Sequence, residues 1–265
     1  MLVNLRSLIR YRGLIQTLVI RELKARYRGS VLGFLWSFIN PLLLLLVYTF
    51  VFSVVLPGFR DDASTQPYAL FMFCGLLPWF WFSSSLLEAS NALVVHGNLI
   101  KKVLFPAEIL PIVTVLANMF HFFFALPILA IFLIFYARPV QLLELVWFPV
   151  VLLIQLTLSL GLGFMLSALT VHFRDLRDIL TNVLTLWFFS TPIIYPMSML
   201  PPIGQFFMDF NPFAHLAISY QEILFYDGPF GHWKWLLALG IFSAVIFFLG
   251  YALFDRLRDS FAEEV

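Results

Sequence analysis

The sequence predicts an all-α integral membrane protein, and three observations predict it. Hydrophobic residues make up 62% of the 265-residue chain and charged residues only 12%, with a mean hydropathy of +0.94, so polar groups are too few to cover a water-facing surface. Six apolar runs, near 32–56, 68–92, 109–136, 145–170, 179–197 and 235–254, approach or exceed the roughly 20 residues that cross about 30 Å of hydrocarbon. Finally, Lys and Arg gather in alternate connections: Arg6, Arg10, Arg12, Arg21, Lys24, Arg26, Arg28, Lys101, Lys102, Arg174, Arg177, Arg256 and Arg258 on one side, thirteen in all, against Arg60, Arg138 and Lys234 on the other. Cations resist translocation, so both termini are expected in the cytoplasm.

Residues 1–30 are expected to form a cytoplasmic amphipathic segment preceding a six-helix membrane domain, residues 31–265. At about 100° per residue, Arg21, Lys24 and Arg28 share one stripe of a helix and Val19, Leu23 and Tyr27 the other. Glu22 and Arg26 are spaced for an i, i+4 pair. Such a helix lies at the headgroup plane or serves only as a positive flank to the first span; Gly29 and Gly33 suit a turn upward. No removable signal peptide is expected, since no small-residue cleavage site follows a short apolar core.

The connection HGNLIKKVLFPAEILP follows the second run. Asn98 suits the cap of a short helix with Leu99, Ile100, Val103 and Leu104 on one face and Lys101 and Lys102 on the other. That face rests on the protein's own spans or the membrane, or seats in a soluble partner's groove. In VHFRDLRD, alternating charges read as a self-neutralising loop end. The fifth run is short and ends at Pro192 and Pro196.

Residues 198–234 are too apolar for a solvated loop and too broken for a span. Asn211 and Pro212 open an expected half-length helix over Phe213–Tyr226. Irregular backbone at membrane depth needs a protein or aqueous covering, so a re-entrant element is expected, with an interfacial helix as the alternative.

Aromatic residues reach 18% of the chain: 32 Phe, 9 Tyr and 7 Trp. Trp147, Trp233 and Trp235 suit an interfacial belt. Trp36, Tyr48, Trp79, Trp81 and Trp187 are candidates to line a pathway, where rings stack on sugar faces, or to pack within the spans.

The chain has no phosphate loop, HExxH, CxxC or GxSxG, and its single cysteine, Cys74, excludes an internal disulfide or a cysteine-built metal cluster. No metal or nucleotide site is therefore expected. The basic residues follow topology, and a net charge of +1 argues against nucleic acid. His96, His121, His172, His215 and His232 fall in separate segments, against paired haem ligation. Glu88, Glu108 and Gln155, costly in spans, are too scattered for a proton relay.

RELKARYRGSVLGFLWSFINPLL, NLIKKVLFPAEILPI, HFRDLRDIL, STPIIYPMSMLP and NPFAHL, in that order, resemble the ABC-2 family across essentially the whole chain, in particular the Wzm-type permeases of O-antigen exporters. The resemblance implies a homodimer of six-span subunits in the bacterial inner membrane. It further implies two copies of a separate ATPase that holds ATP and Mg, and a cargo of glycan linked to a lipid such as undecaprenyl diphosphate. Arg21, Lys24 and Arg28 would then lie at the entrance, Asn98–Lys102 would seat in the ATPase, and Trp36, Tyr48 and Trp187 would approach a channel between the subunits. Two rivals stay open. An exporter of a small hydrophobic compound would share the architecture. A membrane glycosyltransferase would need acidic residues gathered at one face, whereas Asp61, Asp62, Glu222 and Asp227 are spread along outer segments.

Overall fold

The computed structural model describes residues 11–51, 55, 65–102, 105–136, 141 and 143–264. Arg6, Arg10, Arg60, Arg138, Asp61, Asp62, Val103 and Leu104 lie outside the described residues, as does most of the expected span beyond Val51. Among the described residues every regular element is helical. Five helices are long and apolar enough to cross a membrane.

The first helix, α1 (Arg12–Arg26), lays Val19 against Ile109 and Val113, with Leu23 packed on the same cluster. Two glycines with positive φ, Gly29 at 80° and Gly33 at 49°, turn the chain out of α1. That conformation costs an L side chain about 1–2 kcal/mol. A 3-10 turn at Gly33–Leu35 leads into α2 (Trp36–Phe50). The centre of the molecule is α3 (Tyr68–Val95), buried on nearly all sides. After a turn at His96, the short α4 (Gly97–Lys102) follows, and α5 (Ile109–Phe135) runs back.

Next come α6 (Trp147–His172) and α7 (Leu176–Phe189). Where a run over 179–197 is expected, α7 starts three residues earlier and stops before Ser190. Pro192 disfavours helical backbone in the residue before it, and the chain continues through turns to Pro196. Two outer helices, α8 (Pro202–Met208) and α9 (Pro212–Leu224), precede α10 (Trp233–Leu257) and a final turn, α11 (Phe261–Glu264).

The ends of α3, α6 and α10 meet the start of α5 in one cluster containing Leu93, Leu110, Val171, Tyr251, Phe254 and Phe261. At the opposite end Phe230 stacks on Trp147, 5.1 Å between centroids, and its N–H donates to Glu144. Hence α7 and the turns after it carry the chain back from one end of the bundle to the other. Helices α6 and α10 are in backbone contact: a Cβ at Gly161 would lie 2.6 Å from the Phe247 nitrogen, and one at Gly250 would run into the Gly161 carbonyl. Small residues allow such an approach where helices have no hydrophobic drive to associate.

Candidate functional site

A half-open cleft of about 550 Å³ lies where the end of α1 meets α2, α3 and α5. One edge is a closed polar network. Arg26 Nη2 donates to both oxygens of Glu88 at 2.7 and 2.6 Å, Asn118 Nδ2 donates to Glu88 at 2.7 Å, and Arg26 Nη1 reaches Asn118 Oδ1 at 3.4 Å. The i, i+4 pairing expected between Glu22 and Arg26 therefore gives way to a partner 62 residues distant. A charge in a span is stabilised by whatever charge tertiary packing brings to it.

A second chain of bonds runs beneath. Ser37 Oγ donates to Tyr27 Oη at 2.7 Å, and Tyr27 Oη lies 3.1 Å from His121 Nδ1. With its lone pair used by Ser37, the Tyr27 hydroxyl donates to Nδ1, which leaves the imidazole proton on Nε2. That atom is buried and has no partner among the described residues. The cleft floor and walls include Trp36, Asn40, Phe80, Trp81, Ser84 and Phe122.

The expected pathway aromatics occupy different environments. Trp36 lines the cleft and donates to Ser30 at 3.0 Å. Trp81 is buried, stacks on Phe122 at 5.4 Å, donates to the Val115 carbonyl at 3.3 Å and contributes an edge to the cleft. Trp79 is buried among Phe82, Trp187, Phe188 and Phe213. Trp187 donates to Asn211 at 2.8 Å, and Tyr48 packs on the main core.

Arg21 and Lys24 are exposed on α1, and Arg28 is exposed beyond its end. Arg21 and Glu22 share a second cleft, of about 540 Å³, with His96, Asn98 and Leu99. The expected entrance and coupling residues thus lie together. Asn98 does not cap α4: the helix begins one residue earlier, and His96 O accepts from Leu99 N and Ile100 N. Lys101 is exposed and Lys102 closes the helix. Ile100 packs on the cluster around Leu93 and Ala107, so part of the expected free apolar face is occupied by the protein itself.

At the opposite end, Asn211 caps α9, accepting from Phe213 N and Ala214 N, while its amide donates to the Ser190 carbonyl and Thr191 Oγ1. The helix starts at Pro212, one residue before the expected Phe213, and stops at Leu224. Phe213 meets Trp79 and Phe82 near the middle of α3, and Phe225 meets Phe71 near its start.

His215 and His232, expected apart, come together, with His215 Nδ1 2.9 Å from His232 Nε2 and Trp235 stacked on His215. His215 Nε2 faces the Asp209 carbonyl at 3.0 Å. A carbonyl only accepts, so Nε2 carries the proton and Nδ1 accepts from His232. Burial, followed by the neighbouring His215, holds His232 down to about 4. Burial also lowers His215 and raises Glu222, although the Gly231 and His232 N–H groups donated to Glu222 oppose the latter. No group of three or more metal-ligating residues occurs among the described residues.

The family profile described as ABC-2 type transporter matches residues 13–225. Over 263 residues, 98% of each chain, the sequence is 43% identical to an O-antigen export system permease protein RfbA of Myxococcus xanthus. It is 32% identical to a protein of the same name from Klebsiella pneumoniae, covering 92% of this chain and 91% of that one. It is 26% identical to the polysialic acid transport protein KpsM of Escherichia coli, covering 92% and 93%.

Proposed function

Since the chain belongs to the ABC-2 type transporter family, we propose that it is the membrane permease of an ATP-driven exporter carrying a lipid-linked polysaccharide outward across a bacterial inner membrane. The observation that carries this reading is the 43% identity to an O-antigen export permease across 98% of both chains. The chain itself is a transport subunit; ATP and Mg belong to a separate ATPase present in two copies.

In this reading α7 is the fifth of six spans, the basic ends face the cytoplasm, and α9 is a re-entrant helix at the outer mouth. The lipid carrier presents its diphosphate to Arg21, Lys24 and Arg28. The second cleft, with Leu99 on its rim, receives the ATPase. A second copy of the chain packs on α2 and α7, which supports a homodimer because both helices leave apolar stripes uncovered: Leu43, Leu46, Val47 and Phe50 on α2, and Ile179, Val183, Leu186 and Phe189 on α7.

Deleting the gene tests the reading, with lipid-linked polysaccharide expected to accumulate inside the cell and disappear from the surface. Unchanged surface glycan refutes it. Leu99→Asp is expected to release the ATPase from the purified assembly while the permease remains folded, since the side chain lines a cleft rather than the core. Retention of the ATPase excludes that docking site.

A further inference from the structure

We propose that the cleft between α2, α3 and α5 binds a neutral sugar ring of the transported glycan, within a single subunit; this rests on the reading of the chain as a polysaccharide permease. The cleft walls are mostly residues of helices long and apolar enough to span a membrane. Polar groups in such helices are costly unless paired or functional. Several here are paired, as the Arg26–Glu88–Asn118 network and the Ser37–Tyr27–His121 chain show. Asn40 and Ser84 are different, because both line the cleft and neither has a hydrogen-bond partner among the described residues. The amide supplies donors and an acceptor, and the hydroxyl supplies one of each, which is the complement of a polyol.

The remaining walls decide what kind of polyol. Trp36, Phe80, Trp81 and Phe122 offer aromatic surface beside those groups, where the C–H face of a pyranose stacks. Water satisfies an amide but gains nothing from four rings. Charge points the same way: the only cation on the cleft, Arg26, is already bound to both oxygens of Glu88, so the site presents no free positive charge to a phosphate. A neutral ring is selected there, while the carrier's diphosphate remains with the exposed cations of α1 and the turn beyond it. At about 550 Å³ the cleft falls in the range of ordinary ligand pockets.

The test is made in cells that export their glycan, with the complete transporter in its native membrane. A photoreactive benzoylphenylalanine is placed at position 40, at position 84, or at position 131, where Ile131 is 64% exposed on α5. Irradiation is expected to attach a glycan-positive ladder to the permease from positions 40 and 84 and not from 131. Adducts to phospholipid alone, adducts from all three positions, or no adducts while export continues each overturn the site. Surface glycan is measured in the same cells and after gene deletion, so a failure of the export reading registers separately. In parallel, Asn40→Leu with Ser84→Ala is expected to lower export about tenfold, the equivalent of one lost polar contact. The melting temperature should be unchanged, since neither side chain holds a contact in the fold. Unaltered export by a folded, normally abundant double variant refutes the proposal.

Discussion

Helices α2 and α3 are similar in hydropathy and opposite in placement: 78% of the most apolar stretch of α3 is buried within the chain, against 11% for the stretch containing α2. Apolarity alone therefore says that a helix leaves water, not whether it meets protein or lipid. The buried helix acts as a pillar, with α5, α6, α7 and α9 all packed on it, whereas α2 touches the rest of the subunit along one edge and borders a cleft.

The sharpest way to break this contrast is to attack the interior contact that leaves no slack. Gly250→Leu forces side-chain atoms into the Gly161 backbone and is expected to cost about 3 kcal/mol or more, read as loss of folded protein in membranes. Leu46→Ala on the exposed face of α2 should leave the amount of folded protein unchanged.

Next comes the same replacement on the two helices. Trp79→Ala removes a ring buried among four others and is expected to lower stability by about 3–5 kcal/mol. Trp36→Ala, on the cleft wall, should lower it by under about 1 kcal/mol. Thermal melting of the purified assembly checks both, and equal losses would erase the distinction between pillar and free helix.

A smaller effect is expected at the tie between α1 and the pillar. Arg26→Met and Glu88→Gln remove a partly exposed ion pair, with a coupling energy of about 1 kcal/mol expected from a double-mutant melting cycle. Additive losses would show that α1 is held by Val19 and Leu23 alone.

The smallest effect concerns pH at the outer end. His232 stays neutral in the fold down to about 4, while the unfolded chain takes up its proton near 6.5; His215 shifts in the same direction. The unfolded state therefore binds more protons between those values, and stability falls as the pH drops through that window. Melting temperatures from pH 7 to pH 4 should show a slope that His232→Gln reduces. An identical slope in the variant would place the titration elsewhere.

Much of this fold is legible in the sequence because length and apolarity mark a span directly: Tyr68, Ile109 and Trp233 begin helices within two residues of the expected positions. The end of α7 is less so, since Pro192 shapes the backbone upstream as well as at its own position. The site was legible only in its ingredients. Glu88 and Asn118 are visibly out of place in apolar runs, but nothing local announces that they close on Arg26. The separation of 17 residues between His215 and His232 likewise hides a contact made by the turn before α10. Asn40 and Ser84 give the weakest signal, because their interest lies in having no partner, a property of three helices at once.

Helix α7 is a short strut in a thick medium. Its fourteen residues reach about 21 Å, against roughly 30 Å of hydrocarbon, so acyl chains beside it must compress or tilt at a cost of fractions of a kcal/mol per Å. Another protein surface imposes no such deformation. Each short helix is relieved when it faces a second copy rather than lipid, and membrane thickness thereby becomes a force for assembly: a thicker bilayer is expected to tighten the dimer, and a thinner one to loosen it.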